Sequence, residues 1–191
     1  MAFVSRKCMS AITVYCSSST FLDPDFHAPA IEVGRELARR RITLVYGGGS
    51  VGLMGEIARA CRAGGGCVIG VITRTLVAME RADNACDELH VVETMRERKK
   101  LLAEKGDAFL VLPGGVGTYE EFFEIVVGRH LGEHDKPIGV VNSRGYYNPL
   151  IAMIEHGIEH RFIPESMRDE FFIEPEPVTV IDRLCREWGR R

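Results

Sequence analysis

No apolar run in this chain reaches the length needed to cross a bilayer; the longest are the size of a strand. Neither sign of charge dominates. The 24 basic and 27 acidic residues leave a net charge of −3, so bulk binding to nucleic acid or to an anionic membrane is not expected. The opening Met1-Ala2-Phe3-Val4-Ser5-Arg6-Lys7 lacks an apolar signal region, and a cytoplasmic protein is expected. There is no CxxC pair among Cys8, Cys16, Cys61, Cys67, Cys86 and Cys185. Several of them lie in apolar segments, where a free thiol behaves as a small core residue, and all are read as reduced. There is no HExxH or comparable histidine spacing, so neither a metal nor a resident cofactor is expected. Internal repeats and low-complexity linkers are also missing. With 191 residues, 46% of them hydrophobic, the chain reads as one domain spanning 1–191 with a full core.

What is present is an alternation of short apolar runs with helical patterns. The runs at 11–16, 42–46, 67–72, 90–92, 108–112 and 138–141 are rich in Val, Ile and Leu without polar alternation. That pattern fits strands buried on both faces. Helices are expected at 29–40, 51–63, 95–105, 118–131 and 147–160, with a last outer helix at 178–188. Such an order implies an α/β protein: a three-layer arrangement with a parallel sheet and helices on both faces. Residues 74–88 show no clear period and are expected to form a long loop; Glu80, Asp83 and Asp87 in it read as surface acids.

In open sheets of this kind ligands sit at the C-terminal ends of the strands. Three such ends stand out: Cys16-Ser17-Ser18-Ser19, Tyr46-Gly47-Gly48-Gly49-Ser50 and Pro113-Gly114-Gly115. In a parallel sheet all three face one side, so one pocket could use all of them. Gly47-Gly48-Gly49-Ser50-Val51-Gly52 matches GxGxxG, but after the second strand rather than the first, and Thr73-Arg74 stands where a ribose-binding acid would be. Arg74 leaves a weak opening for a dinucleotide with a 2′-phosphate. No Walker-type lysine follows either glycine turn, which argues against hydrolysis of nucleoside triphosphates.

The run Leu112-Pro113-Gly114-Gly115-Val116-Gly117-Thr118-Tyr119-Glu120-Glu121 is the most informative. Glycines between a strand and a helix let backbone approach a ligand, and the free N–H groups of the helix start suit a phosphate. Thr118-x-x-Glu121 also reads as a capping box, and spacing alone weighs capping and chemistry equally. The three glycines tip the reading toward a phosphate cradle with a carboxylate beside it. A second helix start, Thr94-Met95-Arg96-Glu97-Arg98-Lys99-Lys100, carries cations where the helix dipole opposes them. Usually such a run is a solvated face. Arg98, however, lies one turn from Met95 and Leu102 and turns inward more easily than Arg96 or Lys100, and its planar fork suits a phosphate or carboxylate. Tyr146-Tyr147 is expected to pack at a helix start. Phe122, Phe123, Ile125, Val126 and Val127 place apolar groups on more than one face of their helix, which points to a subunit interface.

Taken together these residues resemble the LONELY GUY family, whose members have often been labelled lysine decarboxylases. Its PGGxGTxxE motif stands at 113–121, its GGGxxGLMG turn at 47–55 and its MxxRK helix start at 95–99. His134-Asp135-Lys136-Pro137 and Gly145-Tyr146-Tyr147-Asn148 resemble it too, and the likeness runs over about residues 10–165. The resemblance implies a Rossmann-like homodimer that hydrolyses cytokinin riboside 5′-monophosphates, and AMP, to free base and ribose 5-phosphate. It implies Arg98 and Glu121 as catalytic residues. Gly114, Gly115, Gly117 and Thr118 would hold phosphate, while Ser18, Gly48, Gly49, Glu80, Met95 and Lys99 would line the nucleotide site. Arg98 would either stabilise the leaving base or hold phosphate and orient Glu121. Ser17 stands where the family usually has glycine. The competing expectations are a non-catalytic nucleotide or cofactor carrier, which needs neither Arg98 nor Glu121, and an NADP oxidoreductase, for which no hydride acceptor is found.

Overall fold

The computed structural model describes residues 9–80 and 82–190, Glu80 without its side chain. The opening residues, Cys8 and the Glu80 side chain therefore lie outside the described residues. In chain order the elements are β1 (Ala11–Tyr15), α1 (His27–Arg40), β2 (Thr43–Tyr46), α2 (Gly52–Ala63), β3 (Val68–Thr73), α3 (Arg74–Glu80) and β4 (Glu88–Val92). There follow α4 (Met95–Lys105), β5 (Ala108–Val111), α5 (Val116–His130), β6 (Ile138–Val141), α6 (Asn148–Glu159), β7 (Phe172–Glu174) and α7 (Pro177–Trp188). The strands form one sheet in the order β4-β3-β2-β1-β5-β6-β7, and every neighbouring pair is parallel. The chain winds outward from β1 to β4, then returns to the other side of β1 for β5. That reversal opens a crevice at the C-terminal ends of β1 and β5, where α/β sheets bind ligands.

Both faces of the sheet are covered because the strands are apolar at successive positions, not at alternate ones. Along β1, Ile12 and Val14 pack with α1, α2 and α7, while Ala11 and Tyr15 pack with α4, α5 and α6. β5 divides in the same way, Ala108 and Leu110 to one core, Phe109 and Val111 to the other. Successive side chains point to opposite faces of a strand, so each run feeds two cores. α1 and α2 lie close together because Gly34 has no side chain; a Cβ there would stand 2.4 Å from the Ile57 carbonyl oxygen.

All six expected strands and six expected helices are present, with ends shifted by up to two residues. β7 was not expected. Residues 74–88 are not one loop, since they begin with the two-turn α3. α7 is the expected last helix, and it packs firmly, with Val180, Ile181 and Leu184 fully buried against the sheet. The second apolar face of α5 is met within the chain, where Phe122 stacks edge-on against Phe171 at 5.1 Å and tilts against Phe123 at 5.2 Å. Val116, Val127 and Leu131 are the large apolar residues that α5 and its C-cap leave exposed. α4 is mostly charged and buries only Arg98 and Leu102.

Candidate active site

Backbone hydrogen bonds tie the three strand ends together. Ser17 N–H donates to the Pro113 carbonyl at 3.2 Å, and Met54 N–H donates to the Ser17 carbonyl at 3.3 Å. Gly52, at φ +60°, packs against residues 17–19 so closely that a Cβ would meet the Ser18 carbonyl carbon at 2.6 Å. Ser17 fits in place of glycine because its backbone does not need positive φ. Its hydroxyl accepts from Ser19 N–H at 3.1 Å and so stabilises the turn. These ends surround a cavity of about 440 Å³.

Of the expected site residues, Ser18, Met95, Arg98, Gly115, Gly117, Thr118 and Glu121 line this cavity. Gly48, Gly49, Gly114 and Lys99 are not among its lining residues. Gly48, at φ +74°, accepts from Asp83 N–H through its carbonyl, and Gly49 forms a bridge with Ala82, so this turn holds the segment after α3. Lys99 bonds Glu120 at 2.8 Å and Glu124 at 2.5 Å. Gly114 lies beneath Thr118, whose hydroxyl would be 2.1 Å from a Cβ at 114. Tyr15, Leu76 and Val116 line the cavity without having been expected to. Tyr15 sits in an unbroken apolar run, where nothing separates a cavity wall from core. Leu76 belongs to the segment read as a loop.

Thr118 and Glu121 do not form a capping box. α5 begins at Val116 with Gly115 as its N-cap, and no side chain caps it. The N–H groups of its first turn are therefore left for a ligand, at the positive end of the helix dipole. A Cβ at Gly115 or Gly117 would meet no protein atom within 4 Å, and neither residue has positive φ. Internal packing gives no reason for glycine at either position; the open space beside them does. Thr94 and Glu97 form the other expected capping box, which fixes the start of α4.

Arg98 is 6% exposed and runs inward from the first turn of α4. Its Nε donates to the Val71 carbonyl at 3.0 Å and its Nη2 to the Gly47 carbonyl at 3.2 Å. Its Nη1 reaches Glu121 Oε1 at 3.3 Å. Burial pushes the Glu121 carboxyl up; Arg98 opposes the shift and Glu120 adds to it, and the group titrates at about 7. The site thus holds a carboxyl poised near neutrality, a fixed cation against it and an open helix start beside it. Among the described residues no group of three His, Cys, Asp or Glu is placed to hold a metal ion.

Asp83, read as a surface acid, is 6% exposed. Burial would raise its carboxyl, but Arg62 at 2.7 Å and the Tyr46 hydroxyl at 2.9 Å outweigh this and hold it low. Asp87 accepts from Val68 N–H at 2.8 Å and caps the start of β3. Arg74, the residue that kept a 2′-phosphate in view, pairs with Glu93 at 2.9 Å on the surface.

Comparison with known proteins identifies the family. A family model described as possible lysine decarboxylase matches residues 54–184. A cytokinin riboside 5′-monophosphate phosphoribohydrolase of Rhodococcoides fascians is 44% identical over 88% of this chain and 86% of its own. One from Arabidopsis thaliana is 43% identical over 91% of this chain and 81% of its own. Among solved structures, the Moco carrier protein of Chlamydomonas reinhardtii superimposes with a TM-score of 0.70, covering 95% of this chain and 99% of its own at 18% identity. That last likeness is one of fold alone.

Proposed function

The chain belongs to the LONELY GUY family of cytokinin riboside 5′-monophosphate phosphoribohydrolases, and from that membership and its site we infer that it hydrolyses the N-glycosidic bond of such nucleotides. The observation that carries the reading is the Arg98–Glu121 pair within one cavity with the uncapped glycine start of α5. Phosphate sits at that helix start, on the N–H groups of residues 115–118, and brings the ribose to Glu121. The C1′–N9 bond breaks and leaves its electron pair on the purine, while positive charge grows on the sugar ring. Glu121, as carboxylate, stabilises that charge and takes a proton from the water whose oxygen bonds to C1′. Glu121 releases that proton to solvent, the purine anion takes one up from solvent, and ribose 5-phosphate remains. A titration point near 7 suits a group that accepts and returns a proton at neutral pH.

Arg98 has its Nε and one N–H of each terminal nitrogen committed to the protein. This favours the orienting role over direct stabilisation of the base, since the guanidinium is already anchored against Glu121. A carrier on the same fold would have no use for a carboxyl of raised pKa held against a buried cation, so the hydrolase reading is the stronger. We also propose a homodimer, with the exposed Met95, Val116, Val127 and Leu131 contributing to the interface. The expected cytoplasmic location belongs with this proposal; among the described residues no helix is long and apolar enough to cross a membrane.

The test is incubation with isopentenyladenosine 5′-monophosphate, AMP and the matching nucleosides, with assay of free base and ribose 5-phosphate. Nucleotides are expected to be cleaved and nucleosides ignored. Equal turnover of AMP and adenosine would refute phosphate anchoring.

A further inference from the structure

The glycine turn after β5 has a weakness that the rest of the fold must correct. Gly114 and Gly115 carry no side chains, so nothing intrinsic holds the peptide between them in one orientation. A cradle that binds an anion through backbone N–H groups needs that orientation fixed before the anion arrives. The correction comes from the segment that leads into α6, Gly145-Tyr146-Tyr147-Asn148.

Three consecutive carbonyls of the turn accept from donors elsewhere in the chain. Leu112 accepts from the Tyr147 hydroxyl at 2.7 Å, Pro113 from Ser17 N–H at 3.2 Å and Gly114 from the Tyr146 hydroxyl at 2.6 Å. A trans peptide points its N–H opposite to its carbonyl. Fixing the Gly114 carbonyl on Tyr146 therefore turns the Gly115 N–H away from Tyr146, and Gly115 is a lining residue of the cavity. The Tyr146 hydroxyl hydrogen is spent on Gly114, so its oxygen accepts from the Tyr119 hydroxyl at 3.1 Å, which strengthens the first bond. The ring itself is held edge-on by Phe26 at 5.6 Å and by Tyr147 at 5.0 Å. Burial, and then Tyr119, push the Tyr146 hydroxyl up to about 12, so it stays a donor at any working pH.

We propose that Tyr146, backed by Tyr119, is a positioning residue for the phosphate: it aims the Gly114–Gly115 peptide so that the Gly115 N–H is presented to the anion. The proposal rests on the phosphate-anchored reading of the site. Tyr147 supplies the contrast. The carbonyl it holds belongs to the Leu112–Pro113 peptide, and proline has no N–H to aim.

The experiment titrates inorganic phosphate and ribose 5-phosphate calorimetrically into wild type and into Tyr146→Phe, Tyr119→Phe and Tyr147→Phe, alongside thermal melts and kcat and KM for AMP. Tyr146→Phe is expected to weaken both anions and raise KM about tenfold, the worth of one hydrogen bond, with kcat nearly unchanged. Tyr119→Phe should shift the same quantities in the same direction by less, and it carries the test if Tyr146→Phe does not fold. Tyr147→Phe should lower the melting temperature and leave anion affinity alone. Wild-type anion affinity in the Tyr146 and Tyr119 variants, or an equal loss in the Tyr147 variant, would overturn the proposal. Wild-type turnover of nucleotides is measured separately: its absence would end the hydrolase reading, while the ratio of anion affinities still decides the role of Tyr146.

Discussion

Glu121→Gln separates chemistry from structure at this site because it moves activity and stability in opposite directions. Glu121 is buried beside Arg98, and its carboxyl is raised from 4.5 to about 7. An unfolded chain releases this proton near the ordinary value, whereas the folded protein keeps it to about neutrality. Between those points the folded state binds more protons, so raising the pH favours unfolding. The contribution is fully present below pH 4.5 and is lost as pH rises through 7, a cost of about 3 kcal/mol at pH 8. Glutamine has no proton to lose. The variant should therefore equal or exceed wild type in urea stability at pH 8, gain less or nothing at pH 5, and show a flatter dependence on pH throughout. Since α5 is capped by backbone at Gly115 and not by this side chain, no cap is lost. Turnover, by contrast, should fall on the order of 100- to 10,000-fold, as expected when a base or charge-stabilising group is removed. The assay is free-base release at saturating substrate, paired with urea melts at the two pH values. Near-normal turnover in the glutamine variant, or an equal loss of stability at both pH values, would refute the reasoning.

The same titration predicts that wild-type kcat/KM rises with pH through an acid limb near 7, since Glu121 acts as the carboxylate; a limb near pH 4.5 would mean that the carboxyl is not desolvated. Arg98→Ala should abolish turnover and lower stability, because it leaves the Val71 and Gly47 carbonyls without their buried donor, whereas Lys100→Ala, at a side chain 74% exposed, should behave as wild type. Similar kinetics for the two variants would reduce the basic run to a diffuse charged face. Gly117→Ala adds a methyl where no protein atom lies within 4 Å, so it should raise stability by up to about 1 kcal/mol and yet weaken phosphate binding; unchanged phosphate affinity would place the anion elsewhere. Light scattering should give a dimer, and a mass near the 21.3 kDa of one chain with full activity would refute the proposed interface.

The inner strands were legible because burial on both faces leaves uninterrupted apolar runs, and most of the helices because they carry an apolar stripe. β7 was not, since Phe172–Glu174 is three residues long and ends in an acid. α3 was missed for a related reason: it has seven residues, and among those whose burial is described only Leu76 and Val77 are half-buried, which makes no stripe. Part of the second apolar face of α5 is covered within the chain by Phe171, which lies in a segment with no pattern of its own, while Val127 on the same helix stays exposed. Asp83 was misjudged on the same principle. An acid in an irregular segment is normally exposed, and only the fold reveals that Tyr46 and Arg62 wait for it.

The site was legible in its parts but not in its assembly. Each glycine turn announces itself by composition, since glycine in a helix start costs stability and needs a reason. Ser/Thr-x-x-Glu, however, is the same string whether it caps a helix or not, and the choice depends on where the helix begins. Here the chain enters α5 at Val116, ahead of Thr118, because Gly115 takes the extended N-cap conformation at φ −90° and ψ −158°. That shift puts Thr118 inside the first turn over Gly114 and frees Glu121 to face Arg98. The Arg98–Glu121 contact then joins two helix starts that the crossover places on either side of the switch point between β1 and β5. Local pattern names the groups. The reversal of strand order brings them within 3.3 Å, and the burial that comes with it raises the carboxyl that the chemistry uses.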